Sequence, residues 1–196
     1  MHWMVKCRSR PGTDALRKAT IPAHKAHLDK YREATLFSGP IFSDDGASAI
    51  GSLRFIEFPD RPAAQAYIEA DPYTTAGIFE SINIQRWQPA LTHRQLTYPR
   101  QDGTMQFIVL GTDVAGSEDL RAPLAQDDRE YVAEHAEKII ARGALMADDG
   151  ETIIGNACLL DVADRAAAEA LWTDEPFNRA GIYDQISIER WLFGHV

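Results

Sequence analysis

Apolar residues recur in short runs along this chain, and their spacing divides it into strand-length and helix-length pieces. Residues 3–8 form a short apolar-rich run, matched by 107–110, and each predicts a strand. A helix is expected from Thr20 or Pro22 to Thr35. Proline suits a first helical turn, where its missing N–H is harmless, and Leu28, Tyr31, Ala34 and Thr35 make an inward stripe. Residues 37–42 predict a second strand, interrupted by Gly39-Pro40, and Asp44-Asp45-Gly46 is turn chemistry. Residues 51–58 predict a third strand and 61–70 an alanine-rich helix, which Asp71-Pro72 breaks. Residues 81–87 then alternate as a final strand. The order is βαββαβ.

That pattern occurs twice. Displaced by 104 positions, residues 2–88 match 106–192 without a gap at 24 of 87 positions, far more than unrelated sequences share. Asp44-Asp45-Gly46 falls on Asp148-Asp149-Gly150, Ala76-Gly77-Ile78 on Ala180-Gly181-Ile182, and Arg86-Trp87 on Arg190-Trp191. The chain therefore reads as a first repeat (1–88), a linker (89–104) and a second repeat (105–196). Each repeat is an α+β, ferredoxin-like plait. Such a sheet carries helices on one face only, so its other face needs a cover. The expected cover is the second copy, packed sheet-to-sheet as an intrachain pseudo-dimer. Further homo-oligomerisation is left open.

Composition narrows the classes. With 45% hydrophobic residues in 196, the chain can build cores rather than remain disordered. No apolar run approaches the roughly 18 residues of a membrane span. The opening residues lack the pattern of a secretory leader. Two cysteines, Cys7 and Cys158, form no disulfide framework, so a cytoplasmic location is expected. A net charge of −9 argues against nucleic acid as a partner. That charge is uneven: residues 1–88 carry a net +1 and residues 105–196 a net −11.

Candidate chemistry lies in the first repeat. His24 and His27 are three residues apart on one helix, but no third ligand stands at motif spacing, so no metal is expected. His24 titrates near neutrality and suits general acid–base work if a carboxylate orients it. Asp71 is the candidate carboxylate; it equally suits capping the turn that begins at Pro72. Gly39, Pro40 and Ser52 are special positions within strands, open to close packing or to ligand contact. No dinucleotide fingerprint, phosphate loop or nucleophile elbow is present, and no cofactor is expected. The cysteines carry no assigned chemistry, and Trp3, Trp87, Trp172 and Trp191 read as core or interface residues.

The first repeat resembles the YciI-like (YCII-related) family. The resemblance rests on Pro22-Ala23-His24, Ser38-Gly39-Pro40, Gly51-Ser52, Ala63-Ala64, Ala70-Asp71-Pro72-Tyr73 and Ala76-Gly77-Ile78-Phe79. It implies a ferredoxin-like domain of the dimeric α/β-barrel type, with a site built on His24 and Asp71. The family includes a dehydrochlorinase acting on a chlorinated hydroxyquinol, and relatives by fold include muconolactone isomerase and cofactor-free monooxygenases. The implied activity is cofactor-independent lyase or isomerase chemistry on a small molecule. His24 would transfer the proton and Asp71 orient it, while Ser52, Tyr73, Gly39 and Pro40 contact substrate. A non-catalytic binding or regulatory module is the alternative, and a purely structural interaction domain is a third. In the second repeat His24 is replaced by Asp128, Ser52 by Asn156 and Asp71-Pro72-Tyr73 by Glu175-Pro176-Phe177, so the base is lost while the framework stays.

Overall fold

The computed structural model describes residues 1–91 and 93–196, the Glu118 side chain excepted. In chain order the first elements are β1 (His2–Ser9), α1 (Asp14–Asp29), β2 (Thr35–Phe42), β3 (Ala49–Glu57), α2 (Arg61–Glu69), α3 (Pro72–Thr75) and β4 (Phe79–Leu91). They are followed by β5 (Met105–Asp113), α4 (Glu118–Glu134), β6 (Ile139–Met146), β7 (Ile153–Val162), α5 (Arg165–Thr173), α6 (Pro176–Arg179) and β8 (Tyr183–Trp191). Two compact units result. The first comprises Met1–Trp87, Arg94–Tyr98 and Arg190–Val196; the second comprises Gln88–His93 and Pro99–Glu189.

Both units have the expected βαββαβ order. The first has antiparallel strands in the order β4-β1-β3-β2, and the C-terminal Arg190 and Trp191 pair onward with Phe42 and Ile41. The second repeats the order as β8-β5-β7-β6. Local chemistry fixes the helix starts. Asp60 accepts from the Ala63 N–H at 2.8 Å and Asp71 from the Tyr73 N–H at 2.9 Å, with Asp164 and Glu175 serving the corresponding helices. Gly46 and Gly150 both have φ of +74°, a left-handed turn conformation that glycine adopts without strain. In each unit the helices cover one sheet face. Val5, Cys7, Ile56, Tyr67 and Ile68 make that layer in the first, and Val109, Cys158, Leu160 and Trp172 in the second.

Three local expectations change. The first helix runs Asp14–Asp29, not from Thr20 or Pro22 to Thr35, and Pro22 lies inside it on an exposed face. There solvent can satisfy the carbonyl that proline leaves without a donor. Leu28, Tyr31 and Ala34 still pack inward, but Thr35 has become the first residue of β2. Gly39-Pro40 does not interrupt β2, because Pro40 needs no N–H here and its carbonyl accepts from the Leu192 N–H at 3.1 Å.

The segment read as a linker is largely structured. β4 extends to Leu91, and Gln95 and Tyr98 are buried in the first unit. The Gln95 amide accepts from the Ser38 N–H (2.9 Å) and donates to the Gly194 carbonyl (2.7 Å), so one side chain fixes two segments. A Cβ added to Gly39 would lie 1.8 Å from the Leu192 carbonyl oxygen. Gly39→Ala is therefore expected to destabilise the protein by about 3 kcal/mol, the upper end for overpacking, and to expel residues 192–195. Urea denaturation and proteolysis of the C-terminal segment check both effects.

Candidate functional site

Four elements converge on a cavity of about 560 Å³ in the first unit. α1 contributes Arg17 and His24, one face of the helix at a spacing of two turns. β3 contributes Ser52 and Arg54, β2 contributes Gly39 and Pro40, and Tyr73 comes from α3. The C-terminal segment adds Phe193, Gly194 and His195 to the wall. His195 is held by Asp29 at 2.7 Å, and the guanidinium of Arg32 donates to the Val196 carbonyl at 2.8 and 3.1 Å.

At the floor, Nδ1 of His24 donates to Oδ1 of Asp71 at 2.8 Å. Nη2 of Arg54 donates to Nε2 of His24 (3.1 Å) and to Oδ2 of Asp71 (3.2 Å). Since guanidinium can only donate, Nε2 must be the accepting nitrogen and the proton must sit on Nδ1. The network thus assigns His24 as a neutral imidazole of one tautomer. Its pKa falls for the same reasons: burial comes first, opposed by the hydrogen bond to Asp71 and reinforced by the Arg54 charge. Burial of Asp71 works to raise its pKa, but the His24 bond, the Arg54 charge and the Tyr73 N–H together hold the carboxyl below its usual range. Asp71 is fully buried and Arg54 is 1% exposed.

The remaining expected residues have distinct places. Tyr73 stacks flat on His24, with centroids 3.8 Å apart and planes within 9°, and Arg17 lies over the Tyr73 ring at 4.7 Å. Ser52 Oγ accepts from Arg17 at 3.1 Å, so its hydroxyl positions that guanidinium. Arg17 is anchored further by Ser9 Oγ (2.9 Å) and the Gly51 carbonyl (3.0 Å). Gly39 and Pro40 line the cavity, with Gly39 also admitting the Leu192 backbone. His27 turns away from His24 and stacks on Tyr67 at 5.1 Å. Among the described residues no group of three His, Cys, Asp or Glu could hold a metal ion. Burial pushes the thiols of Cys7 and Cys158 up to about 12, which keeps both protonated.

Arg17 and Arg54 are the residues that sequence reasoning missed. Arg54 is a lone charge within Leu53-Arg54-Phe55-Ile56, and a strand buried on both faces leaves such a charge only a polar partner. Arg17 recurs as Arg121 in the second repeat, a signal available at the outset.

The two lowered ionisations act in one direction. The unfolded chain takes up protons near the ordinary histidine value of 6.5, which folded His24 resists, so stability is lost as pH falls below that value. Asp71 contributes stability above its ordinary 3.8, lost as pH falls through its lowered folded value. The thermal midpoint is expected to fall steadily from pH 7 to pH 5. A midpoint that rose over that interval in calorimetry would contradict the assignment of His24.

Comparison with known proteins places this chain in a family. Protein YciI of Escherichia coli O6:H1 is 30% identical over 92 residues, covering 43% of this chain and 94% of its own length. A chlorite dismutase variant from Candidatus Nitrospira defluvii shares the fold over 98% of this chain and 91% of its own, with a TM-score of 0.65 at 7% identity. The 5-chloro-2-hydroxyhydroquinone dehydrochlorinase of Burkholderia phenoliruptrix, solved with 2,5-dihydroxybenzoquinone, is 26% identical over 45% of this chain and 94% of its own, with a TM-score of 0.43. No helix among the described residues is long and apolar enough to cross a membrane. The YCII-related domain matches residues 1–88 and again 105–192, and the chain belongs to that family.

Proposed function

We propose that the first unit is a cofactor-independent acid–base enzyme acting on a small anionic molecule with a removable proton, a lyase or isomerase type of reaction. The observation that carries this reading is the His24–Asp71 pair, 2.8 Å apart at the floor of a cavity of about 560 Å³. A neutral imidazole whose Nδ1–H is held by a carboxylate is a competent proton acceptor at Nε2. On accepting a proton, Nε2 exchanges its contact with Arg54 for one with substrate, and Asp71 stabilises the imidazolium. Negative charge left on the substrate then lies beside Arg54 and Arg17, donors held in place by their own hydrogen bonds. Lys18 and Lys25 line the same cavity and favour an anion on approach. Tyr73 holds the imidazole plane from one side.

The engagement of Nε2 by Arg54 favours one alternative, a non-catalytic binding module in which that nitrogen never leaves the guanidinium. The two readings separate in D2O. A panel of enolisable carboxylates, hydroxyquinols and cyclic diketones is incubated with the protein, and carbon-bound deuterium is followed by NMR. The enzyme reading expects exchange above background for at least one compound. Saturable binding without exchange or conversion across the panel would support the module.

A further inference from the structure

The second unit has lost the histidine but not the cavity. Arg121, Asp128, Gly143, Ala144, Asn156 and Phe177 stand where Arg17, His24, Gly39, Pro40, Ser52 and Tyr73 stand in the first unit, and they surround about 710 Å³. A buried guanidinium again lies at the floor, yet it comes from the opposite strand. Ser38 pairs with Arg54 across β2 and β3, and Arg142 pairs with Cys158 across β6 and β7. The arginine has thus changed places across the strand pair. Its role persists: Arg142 donates to Asp128 and to Glu175, the counterparts of His24 and Asp71. Tyr183 donates to the same Glu175 oxygen at 3.3 Å.

A unit needed only for packing gains little from buried Arg142 and Glu175, since well-packed apolar residues serve a core at least as well. The retained cluster instead gives this cavity its own selectivity. In the first cavity Arg17, Lys18, Lys25 and Arg54 face Asp14 and Asp71, a cationic excess. In the second, Arg121 and Arg142 face Asp113, Asp128, Glu175 and Glu151, an anionic excess. Arg121 donates through Nε and Nη2 to both oxygens of Asp113 (2.7 and 2.6 Å) and lies over Phe177, so its charge is already paired. Arg142 engages one oxygen of Asp128, whose side chain remains one-fifth exposed. The apolar part of the wall comes from Pro89, Ala122, Ala125, Ala144, Ile153 and Phe177, beside the polar Gln88, Thr152 and Asn156.

We propose that the second unit holds a separate ligand site for a small organic cation, an aryl or alkyl ammonium whose apolar body fills the cavity and whose charge meets Asp128. The site requires no proton transfer and does not depend on activity in the first unit. The test titrates the 15N-labelled full chain with 2-phenylethylammonium and, separately, with 3-phenylpropanoate, following backbone amides. The ammonium is expected to shift amides within 121–128 and 142–156, with affinity at least tenfold weaker in Asp128→Asn. Ala122→Trp, at an exposed helical position lining the cavity, is expected to abolish those shifts while the fold is kept. Absence of second-unit shifts, equal affinity in Asp128→Asn, or equal binding of the propanoate there would each overturn the site. If Asp128→Asn does not fold, Ala122→Trp decides alone, and undiminished ammonium binding would refute the proposal.

Discussion

Replacement of Arg54 by methionine is expected to cost about 3–5 kcal/mol at pH 8, the penalty for removing one partner from a buried ion pair. Arg54 is 1% exposed and its Nη2 bridges Asp71 and His24, so its loss leaves a fully buried carboxylate with no cation bonded to it, only a neutral imidazole and the Tyr73 N–H. The response to pH provides a sharper test than the magnitude. Without the guanidinium, one cause of the lowered His24 pKa is removed while burial, the largest, and the Arg17 charge remain, so the pKa is expected to move up from its lowered folded value. A smaller gap between the folded and unfolded values of a histidine means a smaller loss of stability as pH falls below 6.5. The variant should therefore lose less stability than the parent on acidification from pH 8 to pH 5. Adding Asp71→Asn removes the stranded charge while an amide oxygen can still cap Tyr73, so the double variant should exceed Arg54→Met at pH 8. Urea denaturation of the four proteins measures this cycle. A parent-like pH slope in Arg54→Met would show that the guanidinium does not control His24.

His24→Asn is the second large effect, and it falls on activity. Removal of a general base typically lowers rate by about 10²–10⁴, and that loss in kcat/KM is expected for whichever compound the deuterium assay identifies. Stability should change little, because an asparagine amide can still donate to Asp71, while the stack on Tyr73 and the bond from Arg54 to Nε2 are lost. A cost of about 1 kcal/mol corresponds to roughly 2–4 °C in a protein of this size. The fall should appear in kcat more than in KM, since Arg17 and the lysines lining the cavity remain. Activity retained within threefold would remove His24 from the proposed mechanism.

The architecture was legible because it rests on short-range patterns written twice. The period-2 runs, the Asp-Asp-Gly turns and the alanine-rich second helix are each decided within a few residues. Boundaries proved less readable where one local rule met a distant partner. Proline at position 22 suggested a helix start, yet burial of Arg17 and His24 along one face rewards a helix that begins eight residues earlier. Residues 94–98 lack periodicity because their order comes from Gln95 bridging Ser38 and Gly194, a set of contacts with no sequence period.

The candidate site divides along the same line. Sequence alone named His24 and Asp71 as a plausible pair, since a titratable ring and a capping carboxylate are recognisable by type and place. It also marked the second repeat as the copy without imidazole. What the tertiary structure alone decided was the charge environment of that pair. Arg54 reaches it from a sheet strand, Arg17 braces Tyr73 and Ser52 from another turn of α1, and residues 193–195 supply a wall from the far end of the chain. The same holds for the guanidinium that crosses from β3 in one unit to β6, the counterpart of β2, in the other, which only strand register reveals. The physical reason is range. Hydrophobic periodicity and capping act between near neighbours, whereas the tautomer and charge of a buried histidine are set by every group within a few ångströms, whatever its position in the sequence.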